Sequence, residues 1–515
     1  MKSLVLFAGL AVAGAVHAAP SASPAASAAA MAQIRQGPVQ GVLTAGVASF
    51  LGLPYAAPPV GERRWRAPAA APSWTAVRDA SRFGPDCVQE PMQSPPGPGF
   101  VNRTSEDCLT LNVWKPAAAP AATLPVMVWI HGGAFIMGAG SFPSFDGAAL
   151  ARQGVVLVTL NYRLGRFGVF AHPALAREQG GRPVADFGLL DQIAALQWVR
   201  DNIAAFGGDA ANVTIVGESA GASSVNFLMG SPLARGLFAK AISESGGTSS
   251  QLKTVAALQA EGQAWARAAG VADDDAAALR ALPTARVWDG PVTTVAAPVI
   301  DGNVVTASTD EAFHDGAVAA VPYLVGANSQ EESLLRWLPG LADVFLDALG
   351  ERGPAALAFY TADGVDRRTA VARLWGEGAM VEPARMRARQ VAGRGGVAWL
   401  YRYAYVPDAA PAGTRGAGHE AEIEMVFKNP DPRWPRSWSA RDAAMADTIS
   451  AYWVNFARSG NPNGPGLPAW PQYWAAGDAA MEFSQAGAKA GAGFGKARLD
   501  LLDQVYAQQR HWAAP

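Results

Sequence analysis

Short apolar runs rich in β-branched and aromatic residues alternate along the chain with longer stretches of helical spacing. The runs at 126–130, 155–161, 213–216, 323–326 and 397–403 are almost continuously apolar, as strands buried on both faces are. Their alternation with helical stretches predicts an α/β fold with a mostly parallel, doubly wound central sheet flanked by helices. Between the second and third runs, Leu189, Leu190, Ile193, Leu196, Val199 and Ile203 recur at helical spacing. They predict an amphipathic helix lying on the sheet, a core element without chemistry of its own. Residues 251–300 and 340–395 are rich in Ala, Leu and Arg with scattered Gly and Pro, and predict helical insertions over the sheet of the kind that shape a pocket.

The chain begins differently. Residues 1–18, MKSLVLFAGLAVAGAVHA, set Lys2 ahead of a short apolar run and end in small residues around Val16 and Ala18, the layout of a secretory signal peptide. The run is too short to span a membrane, and no other stretch approaches the ~20 apolar residues a spanning helix needs. Residues 19–32 include PSASPAASAAA, a low-complexity segment that buries little and is expected to be a flexible arm. The remainder, 33–515, is expected to be one domain. Length alone suggests about three domains at ~150 residues each, but no linker divides the chain.

Formal charge is −2 and the pI about 6.3, far from the basic footprint of a nucleic-acid binder. Neither polyanions nor anionic membranes are implied as partners. The two cysteines, Cys87 and Cys108, read as a disulfide in an exported chain, with two buried thiols as the alternative. Closing such a loop contributes roughly 3 kcal/mol in the chain-entropy model. The expected location is therefore periplasmic or secreted.

Chemistry is concentrated at Gly217-Glu218-Ser219-Ala220-Gly221, where G-x-S-x-G follows a β-rich run and precedes a helix-compatible stretch. This is the strand-turn-helix context of a nucleophile elbow. A side chain at Gly217 or Gly221 is expected to collide with the neighbouring strand or helix. Serine is a weak nucleophile and needs a base within hydrogen-bond reach and donors for the oxyanion. Candidate donors lie in His131-Gly132-Gly133-Ala134-Phe135, which follows the first apolar run, and at Ala220 behind the serine. No phosphate-cradling G-x-x-x-x-G-K-[ST] occurs, and the HEAEI at His419 has Ile423 where a zinc motif needs its second histidine.

Six histidines are available: His17, His131, His172, His314, His419 and His511. His17 is in the leader, His131 in the candidate oxyanion loop and His511 in the polar tail. The order Ser, acid, His leaves His314 and His419. His419 follows the run 397–403 in a loop with Gly413, Gly416 and Gly418, whereas His314 in EAFHDG reads equally well as a surface helix residue.

These residues, with many others, resemble the type B carboxylesterases, the group of bacterial para-nitrobenzyl esterases and cholinesterases within the α/β-hydrolase fold. The likeness runs nearly end to end, from Leu53-Pro-Tyr-Ala-Ala-Pro-Pro-Val-Gly and Arg64-Trp-Arg-Ala-Pro through Ser105-Glu-Asp-Cys-Leu-Thr-Leu-Asn, HGGAF, Asn161-Tyr-Arg, Phe206-Gly-Gly-Asp and GESAGA. It continues in Val325-Gly-Ala-Asn-Ser-Gln-Glu-Glu-Ser, Gly416-Ala-Gly-His-Glu-Ala-Glu-Ile, Trp453-Val-Asn-Phe-Ala-Arg-Ser-Gly-Asn-Pro and Trp470-Pro-Gln-Tyr. The resemblance implies a triad of Ser219, Glu331 and His419, oxyanion donors at Gly133, Ala134 and Ala220, and a Cys87 to Cys108 bridge. It also implies that Ser245 supports the acid and base and that Arg64 and Glu106 form a structural ion pair.

Two departures matter. Cholinesterases carry a tryptophan between the bridged cysteines that stacks on quaternary ammonium, and residues 88–107 contain none, so choline esters are not expected substrates. The family's Asp-Glu-Gly around the acid is Gln330-Glu331-Glu332 here. Family spacing selects Glu331, and in an extended segment Glu332 is expected to point the other way.

The implied reaction is hydrolysis of small-molecule carboxylic esters through an acyl-enzyme on Ser219, with no metal or organic cofactor. Rival readings are a lipase with an apolar lid, a detoxifying esterase of the same fold, and a non-catalytic adhesion homologue. The last conflicts with the retained triad. Oligomeric state is not implied.

Overall fold

A computed structural model describes residues 28–90, 103–118, 122–181, 184–247, 252–272, 274–288, 297–338, 340–362, 364–430 and 437–509. The leader 1–18 lies outside the described residues. Twelve strands form the path of one large sheet: β1 Ala28–Ile34, β2 Gly37–Thr44, β3 Val47–Pro54, β4 Thr110–Pro116, β5 Leu124–Ile130, β6 Val156–Leu160, β7 Gly208–Glu218, β8 Lys240–Glu244, β9 Tyr323–Asn328, β10 Ala398–Tyr403, β11 Ala479–Ser484 and β12 Gly487–Ala492. Their spatial order is β1-β2-β3-β4-β6-β5-β7-β8-β9-β10-β11-β12, with the short strand Arg78–Asp79 beside β2.

From β6 to β11 every neighbour is parallel, and antiparallel strands finish both edges. All five apolar runs fall on parallel strands. Val126, Val128, Val156, Val158 and Ile215 are completely buried, because helices cover both faces and leave no side of the strand to water.

Two expectations need correction. Residues 28–32 were expected in a flexible arm, but they open β1 and pair in register with β2, from Ala28 opposite Leu43 to Ala32 opposite Val39. Main-chain hydrogen bonds order them, a contribution that side-chain composition does not reveal. Helix α1, Phe187–Asn202, does bury Leu189, Ile193, Leu196 and Val199, but Phe187, Asp191, Gln192 and Trp198 are buried too. It is covered on more than one side, since the Asp191 carboxylate binds the Arg163 guanidinium bidentately at 2.7 Å and 2.7 Å. Ile203 falls in the 3-10 turn Ile203–Phe206 that follows.

Helix α2, Ala220–Gly230, leaves the end of β7. The two expected insertions are helical: Val255–Ala268, Ala276–Ala281 and Thr284–Trp288 in the first, Leu341–Ala348, Gly353–Thr361, Arg367–Gly376 and α3 Glu382–Gly393 in the second. A π-helical turn, Glu377–Val381, joins the last two. Helix α4, Ala440–Ser459, packs its Ile449, Tyr452, Trp453 and Phe456 into the cluster on one face of the sheet.

Candidate active site

The strand β7 delivers Ser219 into a backbone conformation that L residues rarely adopt, φ 56° and ψ −121°. Such strain costs of order 1–3 kcal/mol and persists only where neighbours enforce it. The glycines make it possible. A Cβ at Gly217 would lie 2.4 Å from the Gly221 carbonyl carbon in α2, and one at Gly221 only 2.0 Å from the Ile130 oxygen of β5. The Ser219 N–H donates to the Glu244 carbonyl at 2.9 Å, fastening the turn to β8. The side chain is left half-buried at the carboxyl edge of the sheet.

The loop after β5 lies against this turn. A Cβ at Gly132 would sit 3.1 Å from Ser219 Cβ and 2.9 Å from Glu218 Oε2. Gly133, Ala134 and Phe135 all have positive φ, at 97°, 53° and 61°. The Ile136 and Met137 N–H groups close the turn on the Gly133 carbonyl, both at 3.0 Å. The N–H groups of Gly133 and Ala134 have no acceptor among the described residues, so both remain available as donors.

His131 is part of the wall. Its ring stacks on Tyr162 at 4.4 Å and its Nδ1 hydrogen-bonds the Gly132 carbonyl at 2.8 Å. Burial pushes it down to about 4, so it is neutral at neutral pH. The Gln89 amide holds the far end of the loop through both the N–H and the carbonyl of Gly138, each at 2.9 Å.

Glu331 and His419 meet where the loops leaving the neighbouring strands β9 and β10 run side by side, with Gln330 bridging Gly418 in parallel. Glu331 Oε2 lies 2.6 Å from His419 Nδ1, while its Oε1 accepts from Ser245 Oγ and from the Asn328 N–H, both at 2.6 Å. Three donors converging on a 1% exposed acid make the environment of a carboxylate. The two loops are stitched together by the His419 N–H donating to Ser333 Oγ at 2.8 Å and the Gln330 N–H donating to the Ala417 carbonyl at 2.8 Å. Ser245 also has positive φ, 55°, and the Arg387 guanidinium braces the chain beyond it by donating to the Gly246 and Gly247 carbonyls. His314 is remote from this, on the surface helix Thr309–Asp315 with its ring against Asp315.

Glu332 is not in an extended segment as expected, for Glu331–Arg336 is a 3-10 turn. Adjacent side chains there diverge by about a third of a turn. Glu332 packs towards the insertion, where a Cβ on Gly376 would come 3.1 Å from its Oε2, and burial raises its carboxyl.

His419 Nε2 faces Glu218 Oε1 at 3.3 Å and has no hydrogen-bond partner among the described residues. It does not bond Ser219 here, and such bonds are often long before substrate binds. Burial opposes charge on His419, but the carboxylates of Glu218 and Glu331 outweigh it and raise the imidazole to about 10. Glu218 is itself raised well above the carboxylate range by burial. Glu420 adds a smaller upward push, and a Glu218 that holds its proton withdraws one of these three charges, so that the base then titrates lower.

Cys87 and Cys108 are bridged across a separation of 21 residues. Arg64 grips Glu106 bidentately at 2.8 Å and 2.6 Å and also donates to the Arg280 carbonyl at 2.9 Å, a contact that ties the first helical insertion to the segment that follows β3. Among the described residues no group of three or more His, Cys, Asp or Glu is placed to hold a metal ion. The sequence reading missed Gln89, Asn328, Ser333, Arg387 and Glu422. Only Glu422 carried a signal, as an acid three residues beyond His419.

Residues 28–339 and 353–501 match the model of the carboxylesterase family. The chain is 37% identical over 454 residues to a fumonisin B1 esterase of Sphingopyxis macrogoltabida, covering 83% of this chain and 82% of that protein. It is 37% identical over 454 residues to a para-nitrobenzyl esterase of Bacillus subtilis, covering 83% and 89%. A solved para-nitrobenzyl esterase structure superposes with a TM-score of 0.80 at 32% identity, covering 92% of this chain and 99% of that one.

Proposed function

The chain belongs to the carboxylesterase family, and from that premise we propose that it hydrolyses soluble carboxylic esters through an acyl-enzyme on Ser219, with His419 as base and Glu331 as the acid that orients it. That it is an α/β-hydrolase and a carboxylic ester hydrolase follows from the family and from relatives across most of its length. The residue roles are carried by one observation: a buried Glu331–His419 contact of 2.6 Å beside a serine held at φ 56°.

His419 takes the Ser219 proton as Oγ attacks the ester carbonyl. The N–H groups of Gly133, Ala134 and Ala220 receive the oxyanion, and Glu331 stabilises the imidazolium. The imidazolium then protonates the departing alcohol. Water, activated by the same ring, releases the acid and restores the serine. Every charge that forms has a protein partner, so the cycle calls for no cofactor.

The leader is read as an export signal, and a disulfide suits the oxidising compartment it leads to. Substrate class is tested by initial rates on p-nitrophenyl esters of increasing acyl length, below and above their solubility limit. The reading expects the highest kcat/KM on short soluble chains. A jump in rate on emulsified long chains would make the protein a lipase instead.

A further inference from the structure

Helix α3 of the second insertion carries two buried arginines, Arg385 and Arg387. At ~100° per residue their two-residue spacing turns them to nearly opposite faces. Arg385 donates to Asp478 and to Asp503, both at 2.9 Å, and so fixes α3 to the segment before β11 and to the last helix, Lys496–Gln509. Arg387 donates to four acceptors on the other side: the carbonyls of Gly246 and Gly247 at 2.8 Å and 2.9 Å, Thr309 Oγ1 at 3.1 Å and Asp310 Oδ1 at 2.9 Å. The side chains of Arg387 and Asp310 are both 0% exposed. The guanidinium carbon also lies 5.8 Å from the centre of the Phe313 ring, on the same helix as Asp310. A planar fork reaches two carbonyls and a carboxylate at once, which a lysine ammonium does not reproduce.

The two carbonyls belong to the turn that leaves β8. Ser245, at its start, holds φ 55°, a conformation that an L residue keeps only where its surroundings enforce it. From the sheet side, the Ser245 N–H donates to the Gly326 carbonyl at 2.9 Å. From the insertion side, Arg387 takes the next two carbonyls. Gly246 has little room to settle elsewhere, since a Cβ there would lie 2.7 Å from Ser243 Oγ and 2.8 Å from Asn226 Nδ2. Ser245 Oγ in turn donates to Glu331 Oε1 at 2.6 Å, and Glu331 Oε2 lies 2.6 Å from His419 Nδ1. We propose that Arg387 is a positioning residue for the catalytic acid: held by Asp310, it pins the Gly246 and Gly247 carbonyls, keeps Ser245 in its strained turn and so aims Glu331 at His419.

The inference rests on the reading of Glu331 as the acid of the triad. A buried ion pair contributes little net stability, because desolvation offsets its attraction. What Arg387 and Asp310 supply is direction. Without the fork, the Gly246 and Gly247 carbonyls must find other donors, and the turn that sets Ser245 is held from the sheet side only. The second insertion and the triad are then not independent, for α3 is gripped by its Arg385 and grips the site through its Arg387. Residues that share one hydrogen-bond chain are coupled in energy, whereas an Arg387 that served only the fold would act additively with Ser245.

The test is a double-mutant cycle in the full-length protein, with Arg387→Lys, Ser245→Ala and both together, read as kcat and KM on p-nitrophenyl butyrate. Lysine keeps a cation beside Asp310 but loses the fork. Arg387→Lys should lower kcat about tenfold in the native background, a coupling of the size found within one network, and change KM less than about twofold. In the Ser245→Ala background, where the path to Glu331 is already cut, the same change should cost less than about twofold in kcat. An equal loss in both backgrounds, no loss in either, or a rise in KM without a fall in kcat overturns the proposal. If Arg387→Lys does not fold, Arg387→Met with Asp310→Asn removes both charges together, the change a buried pair tolerates best, and the cycle is read on that variant. Glu331→Gln measured alongside separates two failures. A mild effect there sinks the triad reading, whereas a severe one, with Arg387 and Ser245 additive, sinks this inference alone.

Discussion

Replacing Glu331 by glutamine preserves shape and changes only what the carboxylate's two oxygens can accept. In the native site those oxygens take three donors, the His419 ring, Ser245 Oγ and the Asn328 N–H, each at 2.6 Å. An amide offers one acceptor oxygen and one NH2. If the oxygen faces His419, the NH2 confronts Asn328, whose backbone N–H cannot turn away, at a cost of about 1–3 kcal/mol for a buried unpaired donor. If the oxygen faces Asn328, the NH2 confronts Nδ1 and forces the ring into the tautomer that cannot accept the serine proton. Either way the imidazolium loses its anion. In related triads this costs up to ~10⁴ in turnover, or about 5.4 kcal/mol at 1.36 kcal/mol per tenfold. Steady-state kinetics on p-nitrophenyl butyrate should therefore show a fall of about 10²–10⁴ in kcat for Glu331→Gln with the fold retained by circular dichroism. The matching Glu332→Gln, which alters a side chain packed towards Gly376, should cost less than about tenfold. A loss at Glu332 equal to or above that at Glu331 would refute the assignment.

The kcat/KM of the native protein should decline as pH falls, because imidazolium cannot take the serine proton. Glu331 and Glu420 raise the base above its ordinary 6.5, and burial that disfavours charge on Glu218 keeps it below the value of about 10 that all three carboxylates together impose, so a limb outside that interval contradicts the electrostatic account. Added chelator should leave the same rates unchanged. Reducing the Cys87–Cys108 bridge should lower stability by roughly 3 kcal/mol for a 21-residue separation while sparing the site. Thermal melts with and without reductant read this effect, and intact mass after alkylation of the exported protein should find no free thiol.

The elbow was legible because its chemistry is local: two glycines, a serine and the strand before them occupy consecutive positions. His419 was harder, since His314 stood in an equally allowed order, and only the fold places one against Glu331 and the other on the surface. Family spacing picked Glu331 over Glu332, but the geometric reason offered for it, an extended segment, does not hold in a 3-10 turn. The lateral row of register partners Glu218, Glu244, Gly326 and Tyr401, across β7 to β10, could not be read at all. Its members come from four strands spread over more than 180 positions, Glu218 and Glu244 at strand ends and Gly326 and Tyr401 inside theirs, and only register aligns them. The same blindness to main-chain pairing hid the start of β1 at Ala28.

The central claim is that turnover passes through a covalent acyl group on Ser219. Incubating the protein with an organophosphate and mapping the adduct by peptide mass spectrometry, beside Ser219→Ala, tests it most directly. The account predicts one adduct per chain on Ser219, loss of hydrolysis in proportion to labelling, and a fall of at least ~10³ in turnover for the alanine variant with its fold intact. An adduct on another residue, or hydrolysis that survives in Ser219→Ala, would contradict it.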